Sequence, residues 1–221
     1  VATSEQGQFQ IAIAPEALER MKASRQMVFD IVKAGKPVYG INTGFGALSN
    51  CHIKNDDLSQ LQLNLIRSHC TGVGAPFSTV ITRAIMLLRA NCLIRGNSGV
   101  NPDIVQLLLD FINNHIAPVV PEKGSVGASG DLAPLSHIAL ALIGEGEVIY
   151  QSKEVSAAFA IESIGKKPAK LGPKDGLALI NGTAVMSALG AIAVVEAEQL
   201  LKLADISAAL TLEAVQGTSK A

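Results

Sequence analysis

The sequence is poor in aromatic residues, in charge and in cysteine. It has no tryptophan, aromatic residues make up 4% of its 221 positions, and only 17% of the positions are charged. Lys and Arg total 18 against 19 Asp and Glu, which gives a net charge of −1. No excess of positive charge is present to neutralise a phosphate backbone. The composition therefore argues against a nucleic-acid partner.

The few cysteines exclude a disulfide framework. Cys51, Cys70 and Cys92 are odd in number and lack the Cys-x-x-Cys spacing of structural zinc sites. Three of the four histidines are interpreted as surface or packing residues without metal-ligand spacing, and no metal site is predicted; they are His52, His115 and His137. Free thiols are typical of a reducing compartment, and the first ten residues lack the pattern of a secretion signal. We therefore expect a cytoplasmic protein.

Hydrophobic residues, by contrast, make up 48% of the chain. The few charges are too sparse to cover an isolated globule of this size, so we expect an oligomer or part of a larger assembly. One uncharged run, 177–195, has the 19-residue length of a membrane span. Because polar and glycine residues interrupt it and aromatic or basic anchors do not flank it, a buried bundle helix is favoured and no membrane partner is expected.

Apolar residues recur with helical spacing along nearly the whole chain. The spacing predicts helices at 17–33, 58–69, 80–92, 101–113, 132–143, 157–164 and 183–209. A small β-hairpin is predicted around 148–155, and the last helix would be ~40 Å long. The sequence thus predicts a mainly α fold, a long-helix bundle that forms a single domain over 1–221.

Glycine and asparagine are concentrated in five segments at or between helix ends. These segments are YGINTGFG (39–46), SHCTGVG (68–74), RGNSG (95–99), GSVGASGD (124–131) and NGT (181–183). Each one alone is typical of a turn or a helix cap. Because loops on a rigid scaffold commonly carry reactive groups, the five together predict a functional site.

The segment GSVGASGD does not fit a phosphate-binding loop, because it lacks the Gly-Lys-Ser/Thr ending and a preceding strand pattern. Ala128, Ser129 and Gly130 are instead small enough to adopt a very tight turn, in which the Gly130 nitrogen approaches the Ala128 carbonyl carbon. Ring closure with loss of two waters, one of which takes the Ser129 hydroxyl, would leave an exocyclic methylidene. No coded side chain supplies such an electrophile.

Three stretches together resemble the histidine and aromatic amino acid ammonia-lyase family, and the histidine enzymes most of all. They are GSVGASGDLAPLSHIALALIGEGEV, YGINTGFG upstream of it and GLALINGT downstream. The resemblance implies a long-helix bundle of the fumarase/aspartase-like type. It also implies a 4-methylidene-imidazol-5-one (MIO) group formed autocatalytically from Ala128, Ser129 and Gly130, and a homotetramer whose active sites draw on more than one subunit.

The same resemblance assigns roles to four further residues. Tyr39 matches the family's catalytic tyrosine, Asn181 matches an asparagine that interacts with the MIO group, and His69 matches a histidine that orients the substrate. Gly46, at the end of YGINTGFG, is assigned to substrate binding. Without the resemblance, each side chain has an ordinary alternative as a helix cap or a helix interruption. A phenol ionises far above neutral pH, so a tyrosine base also needs a positive field such as that of helix N-termini.

The expected activity is the non-oxidative elimination of ammonia from an amino acid. The pair Ser68-His69 favours L-histidine as substrate and trans-urocanate as product, while tyrosine ammonia-lyase and MIO-dependent tyrosine 2,3-aminomutase stay as alternatives. A non-catalytic helical assembly fragment is a third possibility. Family members are much longer, so the chain is interpreted as a truncated, N-terminal portion. We expect it to be inactive in isolation, with the MIO group left unformed if the tripeptide is not compressed by a complete fold.

Overall fold

A computed structural model describes residues 2–3, 9–218 and 220. In this part the chain forms α1 (Pro15–Ala34), α2 (Leu58–His69), α3 (Thr79–Leu93), α4 (Pro102–Asn113), α5 (Leu132–Leu142), α6 (Ala157–Ser163), α7 (Asp175–Ile180) and α8 (Ala184–Ala214). Short strands lie between the helices as β1 (Val73–Pro76), β2 (Ala117–Pro118), β3 (Pro121–Lys123), β4 (Glu147–Tyr150) and β5 (Lys153–Ser156). Single 3-10 turns occur at Gly46–Leu48 and Asn55–Asp57.

The helices lie where the apolar spacing predicts them. The largest difference is at α8, which continues from 209 to Ala214 because residues 210–214 include the helix formers Leu, Glu and Ala and no glycine follows position 209 until Gly217. The sequence analysis missed α7, since six residues are too few to show a helical period. A mainly α fold of long helices is therefore confirmed.

The strands form two small antiparallel sheets. The predicted hairpin is confirmed as β4 and β5, which pair Val148 with Val155, and β2 joins β4 on its other side. The pairing of β1 with β3 was not predicted, because both strands are short, rich in glycine and proline, and partly or fully exposed. This pairing holds the loop after α2 beside the segment that leads into residues 124–131.

The core is centred on α4, whose residues Ile104, Leu108 and Phe111 are almost completely buried. Helix α4 packs against α1, α3 and α5, and α2, α5 and α7 pack against one another. The C-terminal end of α2, the N-terminal end of α5 and the C-terminal end of α7 each adjoin one of the glycine-rich segments. The mutual packing of these three helices therefore positions three of the five segments.

Most of α8 projects from the rest of the chain. Only Ala184, Val185 and Ala188 of its 31 residues are buried. Ten large apolar side chains of this helix are exposed; they are Met186, Leu189, Val194, Val195, Leu200, Leu201, Leu203, Ile206, Leu210 and Leu212. The stretch Asp175–Ala214 is long and apolar enough to cross a membrane by length and composition. The break at 181–183 divides that stretch into α7 and α8.

A buried ion pair joins α1 to the start of α7. The Arg25 guanidinium donates to both carboxylate oxygens of Asp175 at 3.0 Å, and it also donates to the carbonyl oxygens of Gly99 and Pro173. Burial raises the pKa of the Asp175 carboxyl, and the charge of Arg25 opposes that effect. The segment 95–99 is therefore part of a structural clamp.

Replacement of Arg25 by methionine leaves the Asp175 carboxylate buried without its partner. We expect the free energy of unfolding to fall by about 3–5 kcal/mol, measured by urea denaturation. The control is Lys22→Met, which removes the exposed Lys22–Glu19 pair and should change stability by less than about 1 kcal/mol. Equal losses in the two variants would show that burial of the pair contributes nothing.

Candidate active site

Residues 128–130 form a bend between β3 and α5. The backbone φ is +72° at Ser129 and +125° at Gly130, a region that side chains with a Cβ rarely adopt. A Cβ added to Gly130 would lie 2.7 Å from the Gly182 carbonyl oxygen. The tripeptide is therefore tightly bent and packed against the turn at 181–183, while Ala128 and Ser129 stay exposed.

The buried carboxylate of Asp131 fixes this bend to the start of α8. One carboxylate oxygen accepts hydrogen bonds from the backbone N–H groups of Val185 and Met186 at 2.9 and 3.0 Å, and the other accepts from the Ser125 hydroxyl at 2.8 Å. The Asp131 N–H donates to the Gly182 carbonyl at 2.7 Å. The sequence analysis missed this role, because an aspartate just before α5 resembles a cap of α5 and not of a helix 53 positions later.

Two helix N-termini flank the tripeptide. Helix α5 begins at Leu132, directly after the bend, and α8 begins at Ala184, beside Gly182. Each N-terminus carries a partial positive charge from the aligned peptide dipoles of its helix. The surroundings can therefore stabilise negative charge that develops near residues 128–130, although Asp131 offsets part of this field.

Asn181 stands at the C-terminal end of α7, and its side chain is exposed. Its backbone N–H donates to Leu177, and its carbonyl accepts from Arg89 at 3.1 Å. Within the described part of the chain its side-chain amide makes no hydrogen bond. The amide is thus available to a group outside the chain or to a modified tripeptide.

Tyr39 lies on a loop that packs against the same helix α7. Gly40 follows it with φ of +76°, and a Cβ at Gly40 would overlap the Leu177 side chain. The Tyr39 ring is 56% exposed and meets Phe45 edge-on, with 6.1 Å between ring centroids. Gly46, with φ of +56° and open space around it, begins the 3-10 turn that follows.

His69 is the last residue of α2, and hydrogen bonds hold its ring. Its Nδ1 lies 2.9 Å from the Leu65 carbonyl oxygen and 3.1 Å from the Ser68 hydroxyl. A carbonyl can only accept, so this network assigns the proton to Nδ1 in the neutral ring. The other nitrogen, Nε2, is then a hydrogen-bond acceptor.

The loop after His69 is attached to α5 by His137. The Nε2 of His137 accepts a hydrogen bond from the Gly72 N–H at 3.2 Å, and burial lowers the pKa of this histidine. Nearby, burial raises the pKa of the Cys70 thiol to about 12. Cys70 therefore stays protonated and does not serve as a nucleophile.

The structure brings the five glycine-rich segments together unequally. Segments 124–131 and 181–183 touch directly, 39–46 reaches them through α7, and 68–74 is held by β3 and His137. Segment 95–99 packs on α1, and its residues Asn97 and Ser98 also line a cavity together with Asn181. Across the described residues, no hydrogen bond joins Tyr39 or His69 to residues 128–130. In the part of the chain that the structure describes, no group of three or more His, Cys, Asp or Glu side chains is placed to hold a metal ion.

His137 predicts a pH dependence of stability. Because folding lowers the pKa of His137, the unfolded chain takes up the proton at a higher pH than the folded chain does. The contribution of His137 to the free energy of unfolding is therefore fully present above about pH 6.5 and is lost as the pH falls below that value. We expect the thermal midpoint of the wild-type chain to decrease more than that of His137→Gln between about pH 7 and about pH 5. Glutamine can still accept from Gly72 but does not titrate.

The control for this experiment is His52→Gln, since His52 is exposed. This variant should keep the wild-type dependence on pH. Parallel curves for wild type and His137→Gln would contradict the role of His137.

Comparison with known proteins identifies the family. The family model described as aromatic amino acid lyase matches residues 1–221. Histidine ammonia-lyase of Geobacillus thermodenitrificans is 51% identical over 207 residues, which are 94% of this chain and 41% of that protein.

Solved structures agree with this result. The crystal structure of the ergothioneine-degrading enzyme ergothionase from Treponema denticola matches with a TM-score of 0.92 at 38% identity, over 96% of this chain and 42% of that one. Phenylalanine aminomutase of Pantoea agglomerans matches with a TM-score of 0.91 at 36% identity, over 96% and 41% of the two chains. The chain thus spans about two fifths of the length of the proteins it matches. It belongs to the aromatic amino acid lyase family.

Proposed function

We propose that this chain is the MIO-bearing portion of a histidine ammonia-lyase, which eliminates ammonia from L-histidine and releases trans-urocanate. One observation carries the proposal. The tripeptide Ala128-Ser129-Gly130 is bent into the left-handed region and packed on the Asn181 turn. It does so in a chain that is 51% identical to a histidine ammonia-lyase over 207 residues.

The tripeptide fits the formation of an MIO group from the chain's own atoms. A bond forms from the Gly130 nitrogen to the Ala128 carbonyl carbon. The Ala128 oxygen leaves as water with the hydrogens of the Gly130 and Ser129 amides, and the Ser129 hydroxyl leaves as a second water with the Ser129 Cα hydrogen. No oxidant is needed. The left-handed turn at Ser129 and the absence of a Cβ at Gly130 favour this approach.

When formed, the group supplies an electrophile for the amino acid substrate, and the chain's other residues supply the remaining chemistry. The exposed Asn181 amide donates to the negative charge that develops beside the tripeptide, and the N-termini of α5 and α8 add their positive ends. Tyr39 takes the β-hydrogen as a proton. Its loop is held on α7, the helix that also presents Asn181.

His69 supplies the preference for histidine. Its Nε2 is an acceptor, so it can receive a hydrogen bond from the N–H of a substrate imidazole. A tyrosine hydroxyl could donate to the same atom, whereas a phenylalanine ring has nothing to donate. Tyrosine ammonia-lyase and tyrosine 2,3-aminomutase are therefore the alternative functions, and the assay below separates them.

The proposal includes assembly. Residues 1–221 form one domain, and α8 is covered by further helices of the family's bundle in a homotetramer. Ten large apolar side chains of α8 are exposed in this chain, and a helix that exposes so many requires further helices to cover it. The three unpaired thiols fit a cytoplasmic location. Because α8 is uncovered, we expect the chain by itself to be inactive.

Replacement of Ser129 by alanine tests the origin of the prosthetic group. In the full-length protein, that is, the complete coding sequence to which this chain belongs, wild type should show a mass deficit of two waters by intact mass spectrometry. Ser129→Ala cannot form the methylidene, so the second water should be retained and turnover should fall by about three orders of magnitude or more.

The control is Ser163→Ala, an exposed serine on α6 whose hydroxyl donates to the Phe159 carbonyl, away from the tripeptide. It should keep the two-water deficit. A Ser129→Ala protein with wild-type turnover would refute the MIO assignment and leave a non-catalytic assembly role.

Replacement of His69 by leucine tests the substrate. Loss of one hydrogen bond to the substrate should lower kcat/KM for histidine by about 10- to 100-fold, while exposed His52→Leu should leave it unchanged. The wild-type protein should release ammonia from histidine in preference to tyrosine. Preference for tyrosine, or recovery of a β-amino acid, would instead establish one of the alternatives.

A further inference from the structure

We propose that Arg89 is a positioning residue, which holds the 181–183 turn in place and through it sets the geometry of the tripeptide 128–130. This inference rests on the proposed function, because it assigns Arg89 to the same site. Arg89 lies on α3 and is 4% exposed.

The first observation is that Arg89 caps the C-terminal end of α7. Its Nη2 donates to the carbonyl oxygen of Ala178 and, at 3.1 Å, to that of Asn181. Carbonyl groups in the last turn of a helix lack intrahelical partners, and a cation there also meets the negative end of the helix dipole. Arg89 therefore fixes the point at which α7 ends and Asn181 begins.

The second observation is that Gly182 lies between Arg89 and the tripeptide. A Cβ added to Gly182 would collide with Nη1 of Arg89. On its other side, the Gly182 carbonyl accepts from the Asp131 N–H and lies 2.7 Å from the position of a Gly130 Cβ. A displacement of the guanidinium therefore moves the surface against which Gly130 is bent.

The third observation concerns charge. Arg25 is a buried arginine paired with Asp175, whereas in the described residues Arg89 has no carboxylate partner and its Nε has no hydrogen bond. Burial lowers the pKa of the Arg89 guanidinium. A buried cation that contacts only backbone carbonyls is costly for stability alone. The two N–H bonds of Nη2 lie in the rigid plane of the guanidinium and donate to the two carbonyls in fixed directions, which a freely rotating lysine ammonium does not reproduce.

The test compares Arg89→Lys with Arg83→Lys in the full-length protein. Arg83 lies on the same helix and is also buried, but it donates to the carbonyl of Ala2 and not to the 181–183 turn. Arg89→Met is a second variant without the charge. Each variant is measured for its thermal midpoint, for the fraction of chains with the two-water deficit, for the absorbance of the MIO group, and for kcat and KM per folded subunit.

We expect most chains of folded Arg89→Lys to lack the two-water mass deficit. If the deficit is complete, kcat should instead fall by at least about tenfold with little change in KM. Arg83→Lys should keep both at wild-type values. The proposal is overturned if Arg89→Lys matches Arg83→Lys in the two-water deficit, in the absorbance and in kcat per folded subunit. It is also overturned if Arg89→Met folds and matches Arg83→Lys in these three quantities. If wild type itself shows neither deficit nor turnover, the proposed function fails, which is a different result.

Discussion

The carboxylate of Asp131 connects two loops and the longest helix of the chain at one point. The carboxylate accepts hydrogen bonds from N–H groups in the first turn of α8 and from the Ser125 hydroxyl. The backbone N–H of Asp131 donates to the Gly182 carbonyl. These bonds stabilise an interruption in an apolar run that composition alone would let continue as one helix. Because the interruption exists, Asn181 is exposed beside the tripeptide and is not a position inside a helix.

Buried charge in this protein serves mainly to hold backbone. Arg25 and Asp175 contact the N–H and C=O groups of segment 95–101 and of 172–173, Asp131 contacts the start of α8, and Arg89 contacts the end of α7. Such groups satisfy loop atoms that would otherwise be buried without partners. Only 17% of the residues are charged, and several of these charged side chains lie at helix ends near the candidate site.

The sequence predicted the helices well, because apolar spacing is a local signal. It also predicted the tight bend at 128–130, since these residues are contiguous and small. It could not predict the roles of Asp131 and Arg89, whose partners lie 54 and 92 positions away. Arg89, inside the apolar stripe of α3, gives no sequence signal that separates a capping cation from a solvent-exposed one. Segment 95–99 has the same composition as the other loops, and composition alone did not predict that Arg25 binds its backbone.

The exposed length of α8 bears on how the protein is made and lost. A nascent chain exposes this apolar stretch before any segment that follows it has left the ribosome. The stretch therefore needs to be shielded by chaperones or to pair rapidly with another copy. In the proposed homotetramer, heating or dilution that separates the subunits would uncover the same surface, and the separated chains would aggregate faster than they reassemble. Loss of the proposed assembly would then be governed by the rate of subunit separation and by concentration, and not by an equilibrium midpoint.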